Sequence, residues 1–187
     1  VRVRGYASVE MPKLDYHNFA HAEDVAAAVA RLAKEEKVIE RDKNLLMSAA
    51  YLHDLIFNIG ATDNEERSFA KAATVLKNLN YADKEIQRVG ELILATKLPT
   101  NPKNLLEKII CDADLDNLGR EDYLEKNKAL RKEFGFADAQ YTENWYLTSF
   151  DFLNNHKYYT ESAKKLRQLG LNKNLCKLGE IIRNFPR

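Results

Sequence analysis

The chain has 187 residues, 45 % of them hydrophobic and 30 % charged, which is enough for one domain with a real core and ordinary for a soluble globular protein. A formal net charge of +1 supplies no overall field toward a nucleic-acid polymer or an acidic membrane. Four prolines and seven glycines are few, which favours long helices over a turn-rich β fold.

The opening segment VRVRGYASVEMPK lacks an apolar run of signal-peptide length, and no later segment approaches a membrane span, so the expectation is a soluble cytoplasmic protein. Cys111 and Cys176 lie far apart with no CxxC spacing and read as reduced, buried thiols. After Asn18, FAHAEDVAAAVARLAKEEK places Val25, Val29 and Leu32 on one helical stripe. RDKNLLMSAAYLHDLIF repeats the pattern with Leu45, Ala49, Leu52 and Ile56, so the His53-Asp54 dipeptide falls inside a predicted helix. IGATDN is a turn from which Thr62 or Asp63 caps NEERSFAKAATVLKNL. ADKEIQRVGELILATK carries Ile86, Val89, Ile93 and Leu94 toward a core and stops before the two prolines of LPTNP.

LLEKIICDADLDNLG reads as one helix ending at Gly119. EDYLEKNKALRKEFG, DAQYTENWYLTSFDFLNNH, ESAKKLRQLG and KNLCKLGEIIRNF complete the set. The pattern contains no convincing period-2 strand, no internal repeat and no dividing linker. It predicts a single all-α helical bundle over residues 1–187 with roughly eight to ten helices.

Chemistry gathers in a few places. His17 and His21 stand four residues apart at a helix start, where two imidazoles share a face. His53 and Asp54 point about 100° apart on a helix, so one can face a cleft while the other reaches around from its edge. Asp112, Asp114 and Asp116 sit among Leu106, Ile109, Ile110, Leu115 and Leu118, where a carboxylate must be solvated, paired or bound to metal. Asp63, Glu65, Glu66 and Arg67 crowd the helix start after His53-Asp54, and helix-dipole capping alone would explain the acids. His156 in NNHKYY reads as a surface or helix-end residue. Together His21, His53, Asp54 and an aspartate near 114 make a mixed nitrogen and oxygen set suited to Mn²⁺, Fe²⁺, Co²⁺, Ni²⁺, Zn²⁺ or, less well, Mg²⁺.

In chain order, YHNFAH (16–21), HD (53–54), DNEERS (63–68), LILATK (92–97) and DADLDNLG (112–119) resemble the HD superfamily of metal-dependent phosphohydrolases. Within it, the predicted metal-dependent HD phosphohydrolases of bacteria are the most similar group, with a core over about 14–120 and C-terminal helices over about 121–187. The resemblance implies a divalent ion on His21, His53, Asp54 and Asp114, with Asp112 as the alternative distal ligand. It implies Glu65 and Glu66 as an acidic pair orienting the attacking water. Arg67 and Lys97 are candidates for the substrate phosphates, with solvated helix charges as the alternative reading. The expected substrate is a small phosphomonoester or phosphodiester, nucleotide-like on the strength of the resemblance alone.

YHNFAHAEDV also resembles a segment of cyclic-nucleotide phosphodiesterases, which implies His17 as a general acid. Those enzymes carry another histidine where this chain has Phe57, a departure that favours one strongly held ion. A histidine that often follows ATK in the bacterial proteins is also missing from ATKLPTNP. Other classes stay open: a regulatory HD domain that binds metal and nucleotide with little turnover, and a purely structural helical domain. The aromatic-rich TENWYLTSFDFLNNHKYY reads either as core or as a face for an oligomer partner.

Overall fold

The computed structural model describes residues 2–136 and 139–185. Among these residues the chain is all-helical, with nine α-helices, one 3₁₀ turn and no strand. It forms two compact units, Val1–Leu115 and Asp116–Arg187, and the division falls inside DADLDNLG, where no proline- or glycine-rich linker marks it.

The first unit holds α1 (Arg2–Glu10), α2 (Phe19–Glu35), α3 (Glu40–Leu52), α4 (Asn64–Asn78), α5 (Asp83–Ala95) and α6 (Leu105–Asp114). Helix α3 is its centre, packing against α1, α2, α5 and α6. The predicted stripes supply the core: Val25, Val29 and Leu32 from α2, Leu45, Ala49 and Leu52 from α3, and Ile86, Val89 and Ile93 from α5 are all buried. Leu94 is only half-buried, and its neighbour Leu92 takes the core position instead. Helix α4 lies close on α5 because Gly90 has no side chain; a Cβ there would stand 2.2 Å from the Phe69 ring. Helix α1 has no counterpart in the predicted set. Only Val3 and Ala7 are buried along it, too weak an apolar stripe to stand out in the sequence.

The second unit holds a 3₁₀ turn (Asp116–Gly119), α7 (Tyr123–Glu133), α8 (Ala139–Asn155) and α9 (Glu161–Arg183). The predicted start of the eighth helix at Asp138 lies outside the described residues. The two predicted C-terminal helices are one continuous helix, α9, running through Gly170. Gly170 is not a terminator. A Cβ at Gly170 would sit 1.9 Å from the Gly119 carbonyl oxygen, so the glycine lets α9 lie directly on the 3₁₀ turn. Arg167 fixes the same contact by donating to both carboxylate oxygens of Asp116, at 2.7 and 2.9 Å, and Asn174 donates to the carbonyls of Leu118 and Arg120. From α8, Ser149 and Leu153 are buried, and the Trp145 indole donates to Asn127.

Cys111 is buried as expected, with its thiol donating to the Ala95 carbonyl oxygen, but Cys176 is exposed. The buried stripe of α9 runs through Leu171, Asn174 and Leu178, and position 176 falls off it.

His156 does stand just past a helix end, beyond α8, but it is half-buried there with its ring edge-on to Tyr158. Its Nε2 is enclosed and makes no hydrogen bond among the described residues. Burial pushes its pKa down to about 4, whereas an unfolded imidazole binds its proton near 6.5. The contribution to stability is therefore full above pH ~6.5 and is lost as pH falls toward about 4, by no more than ~3 kcal/mol. In denaturant titrations across that window, His156→Leu is expected to flatten the fall in stability; an unchanged slope would contradict the burial of this ring.

Candidate metal centre

The site is built from helix ends. Asn18 starts α2: its side-chain oxygen accepts the Ala20 and His21 amides at 2.9 and 3.2 Å, while its amide group donates to the Leu14 carbonyl. That cap puts His21 in the first turn, facing inward and buried.

Helix α3 ends at Leu52, so His53 and Asp54 are not inside a helix as the periodicity predicts. His53 is the C-cap, and Asp54 lies in the turn that follows. The two side chains bring their ligand atoms 3.0 Å apart, His53 Nε2 to Asp54 Oδ2. Helix α6 ends at Asp114 rather than continuing to Gly119, and Asp114 brings its Oδ1 to 3.1 Å from His21 Nε2 and 3.2 Å from His53 Nε2.

His21, His53 and Asp114 thus offer three ligand atoms within 4.8 Å of one another, and Asp54 reaches both imidazoles. His21 Nε2 and His53 Nε2 face each other at 3.3 Å, and Asp54 Oδ2 lies 3.5 Å from His21 Nε2. His53 Nδ1 is 3.0 Å from the Ala50 carbonyl oxygen, which only accepts, so Nδ1 carries the hydrogen. In the neutral ring Nε2 is then a lone pair aimed at another imidazole nitrogen and two carboxylate oxygens. Such an arrangement could hold a metal ion.

The electrostatics say the same. Burial by itself lowers the His53 pKa, but the charges of Asp54 and Asp114 outweigh it and raise the value well above that of an ordinary histidine. Burial raises Asp54 and Asp114, and the imidazole partners, His53 foremost, overcome it and hold both carboxyls below their usual range. A proton on His53 answers a demand that a divalent ion on the same four atoms would answer better. Two imidazole nitrogens and two carboxylates fit a borderline ion such as Mn²⁺, Fe²⁺, Co²⁺, Ni²⁺ or Zn²⁺ more closely than Mg²⁺, which prefers an all-oxygen shell.

The three aspartates of DADLD go to different places. Asp114 reaches the imidazoles, while Asp112, two residues earlier on the helix, is buried on another side of α6. Asp116 belongs to the second unit and is held by Arg167.

His17 sits just before the cap of α2, its ring stacked on Phe57 with centroids 3.5 Å apart and planes 13° from parallel. Glu65 is half-buried; burial and then the nearby Asp54 charge push its carboxyl pKa up. Glu66 and Lys97 form an exposed ion pair through which each stabilises the charge of the other, lowering the Glu66 pKa and raising that of Lys97. Arg67 is exposed, and its guanidinium donates to the Asn58 side-chain oxygen in the amide orientation that satisfies both groups. No direct contact joins Glu66, Arg67 or Lys97 to the four converging atoms among the described residues.

Two uncharged residues of DNEERS, Asn64 and Ser68, hold the segment that follows His53-Asp54. Asp63 is the N-cap of α4 but makes no side-chain cap bond, and Thr62 stands outside the cap. Instead Asn64 accepts the Asn58 amide at 2.9 Å and donates to the Asn58 carbonyl at 3.1 Å. Ser68, one turn on, accepts the Ile56 amide at 3.0 Å and donates back to its carbonyl at 3.1 Å. Both side chains are buried, and together they clamp the non-helical segment that follows His53-Asp54. The signal was available: Asn64 and Ser68 continue the buried stripe of Ala72 and Val75, and a polar residue on a buried stripe needs a partner.

Ser68→Ala leaves both backbone groups of Ile56 without that partner. The expected outcome is a loss of ~2 kcal/mol in denaturant stability and Mn²⁺ affinity weakened about tenfold by calorimetry. Unaltered Mn²⁺ affinity in a folded Ser68→Ala would mean that the clamp does not position the site.

The sequence matches the HD domain family over residues 18–116, which contains all four converging residues. A comparison with curated protein sequences gives no match. Among solved structures, that of Bacillus subtilis YpgQ in complex with ADP is similar in fold, with a TM-score of 0.72 and 16 % sequence identity over 98 % of this chain and 96 % of that one. The matched segment spans more than half of the sequence and carries the His, His-Asp and Asp of the site at or just past the ends of α2, α3 and α6: the chain belongs to the HD domain family.

Proposed function

We propose that this protein is a metal-dependent phosphohydrolase that cleaves a phosphomonoester or phosphodiester of a small, nucleotide-like substrate. The observation that carries the reading is the approach of His21, His53 and Asp114, whose ligand atoms lie within 4.8 Å of one another, with Asp54 against both imidazoles. Membership of the HD domain family points the same way, since that superfamily is largely one of metal-dependent phosphohydrolases. YpgQ, similar in fold, is in complex with ADP, which is in keeping with a nucleotide-like substrate for this chain.

In this reading His21, His53, Asp54 and Asp114 hold one divalent ion. The chemistry such an ion supplies is positive charge against the phosphate oxygens and acidification of a water molecule. Glu65, with its raised pKa and its proximity to the Asp54 charge, orients the attacking water and takes its proton as the oxygen bonds to phosphorus. Glu66 acts through Lys97, and Lys97 turns from that carboxylate to a phosphate oxygen when substrate arrives. Arg67 is the second candidate for that role. His17, fixed face to face with Phe57, delivers a proton to the leaving oxygen as its bond to phosphorus breaks. The near-neutral charge of the chain favours a small substrate over a nucleic-acid polymer.

The test is phosphate release from a panel of nucleotides and simple phosphoesters with Mn²⁺, Co²⁺, Ni²⁺ or Mg²⁺, comparing the native chain with Asp54→Asn. Turnover by the native chain that falls at least about a hundredfold in the variant is the expected result. A native chain that binds the metal yet releases no phosphate from any substrate would instead make this a regulatory HD domain.

A further inference from the structure

A second concavity in the first unit has no part in the chemistry above. It is a cavity of about 680 Å³ bounded by α1, one flank of α3 and the turn between α4 and α5. Its size falls in the range of small-molecule sites. On α3 the lining residues Arg41, Asn44, Ser48 and Tyr51 succeed one another at helical spacing, so a whole flank of the central helix is turned to this space. Tyr81 approaches from the far side, and Arg2 and Arg4 from α1.

Its charge is lopsided. Three guanidiniums line the cavity against one carboxylate, Glu85, in a chain whose formal net charge is only +1. Arg4 is already committed to Glu23, with Nε 3.0 Å from the carboxylate. Arg41 is largely exposed and reaches Glu85 only at 3.5 Å, and Arg2 has no ion-pair partner among the described residues. Two guanidiniums therefore keep most of their donors for an incoming anion, in the planar fork that matches phosphate.

The polar floor is arranged to match. Ser48 donates to the Asn44 carbonyl at 2.9 Å, so its 3.0 Å contact with Tyr81 must be a donation from the Tyr81 hydroxyl. That bond holds the Tyr81 ring in place beside a cavity that Tyr51 lines as well, giving aromatic surface next to the guanidiniums of Arg2 and Arg41.

We infer that this cavity is a second ligand site, distinct from the metal centre, that takes a nucleotide: phosphates on Arg41 and Arg2, ring system against Tyr51 and Tyr81. Glu85 is its built-in competitor, since it occupies the guanidinium that the phosphate would use. The opposed roles of Arg41 and Glu85 make the site testable without relying on a loss of binding alone.

The experiment is calorimetric titration of the full chain with ATP in EDTA, so that no metal assists binding. ATP is expected to bind the native chain and Asp54→Asn with equal affinity. Arg41→Ala is expected to weaken binding about tenfold or more. Glu85→Gln, which keeps an oxygen to accept the Ala82 amide that Glu85 now accepts, is expected to tighten it. Absence of binding, an Arg41→Ala variant that binds like the native chain, or binding that disappears in Asp54→Asn would each overturn the proposal. Inorganic tripolyphosphate binding as tightly as ATP would overturn the assignment of a nucleotide.

Discussion

One electrostatic constraint shapes the site of the first unit: two imidazole nitrogens 3.3 Å apart, each within 3.5 Å of an oxygen of Asp54 and of Asp114. Buried charge of one sign is among the costliest things a fold can contain, and an imidazole lone pair facing two carboxylates adds to that cost. A cation shared by the group would offset that cost. The proton that His53 holds so firmly is the minimal answer, and it shows how strong the local field is. The ion expected there would bind in competition with that proton, which couples metal affinity to pH.

The fold meets the constraint through the ends of its helices. His21 lies in the first turn of α2, His53 is the C-cap of α3, and Asp114 is the last residue of α6. The C-terminal ends of α3 and α6 present carbonyl dipoles, which favour positive charge nearby. Packing of α2 and α6 on the fully buried face of α3 fixes the distances between those ends. Past His53 the chain leaves helical geometry, and without Asn64 and Ser68 the amides and carbonyls of Ile56 and Asn58 would lose their buried partners. A metal centre at the end of a helix needs such a clamp, because a helix supplies no hydrogen bonds to the residues beyond it.

Much of this was legible in the residues. Helical periodicity revealed the all-α class and most of the core, since Val25, Leu45, Val89 and their neighbours recur at a spacing that only one buried face explains. The resemblance carried by YHNFAH, HD and DADL pointed to His21, His53, Asp54 and Asp114, with Asp112 as the alternative, and of the two aspartates it is Asp114 that reaches the imidazoles. Periodicity could not show that α3 stops at Leu52, because Leu55 and Ile56 continue the apolar pattern after the helix has ended. Nor could it show why α9 continues through Gly170, whose reason is the Gly119 carbonyl oxygen, some fifty residues earlier in the chain. Asn64 and Ser68 carry no charge, and their role depends on backbone groups of Ile56 and Asn58 that helical periodicity does not reveal. Local pattern reports which face of a helix is buried, and it is silent on what meets that face from a distant part of the chain.

The claim on which the account rests is that a divalent ion completes the four-atom cluster. Its most direct test is anomalous diffraction from crystals of the chain grown with Mn²⁺, recorded at an energy where manganese dominates the signal. The account predicts one strong peak bonded to His21 Nε2, His53 Nε2, Asp54 and Asp114 at about 2.0–2.3 Å. A cluster without a peak at saturating Mn²⁺, or a peak held by other residues, would contradict it.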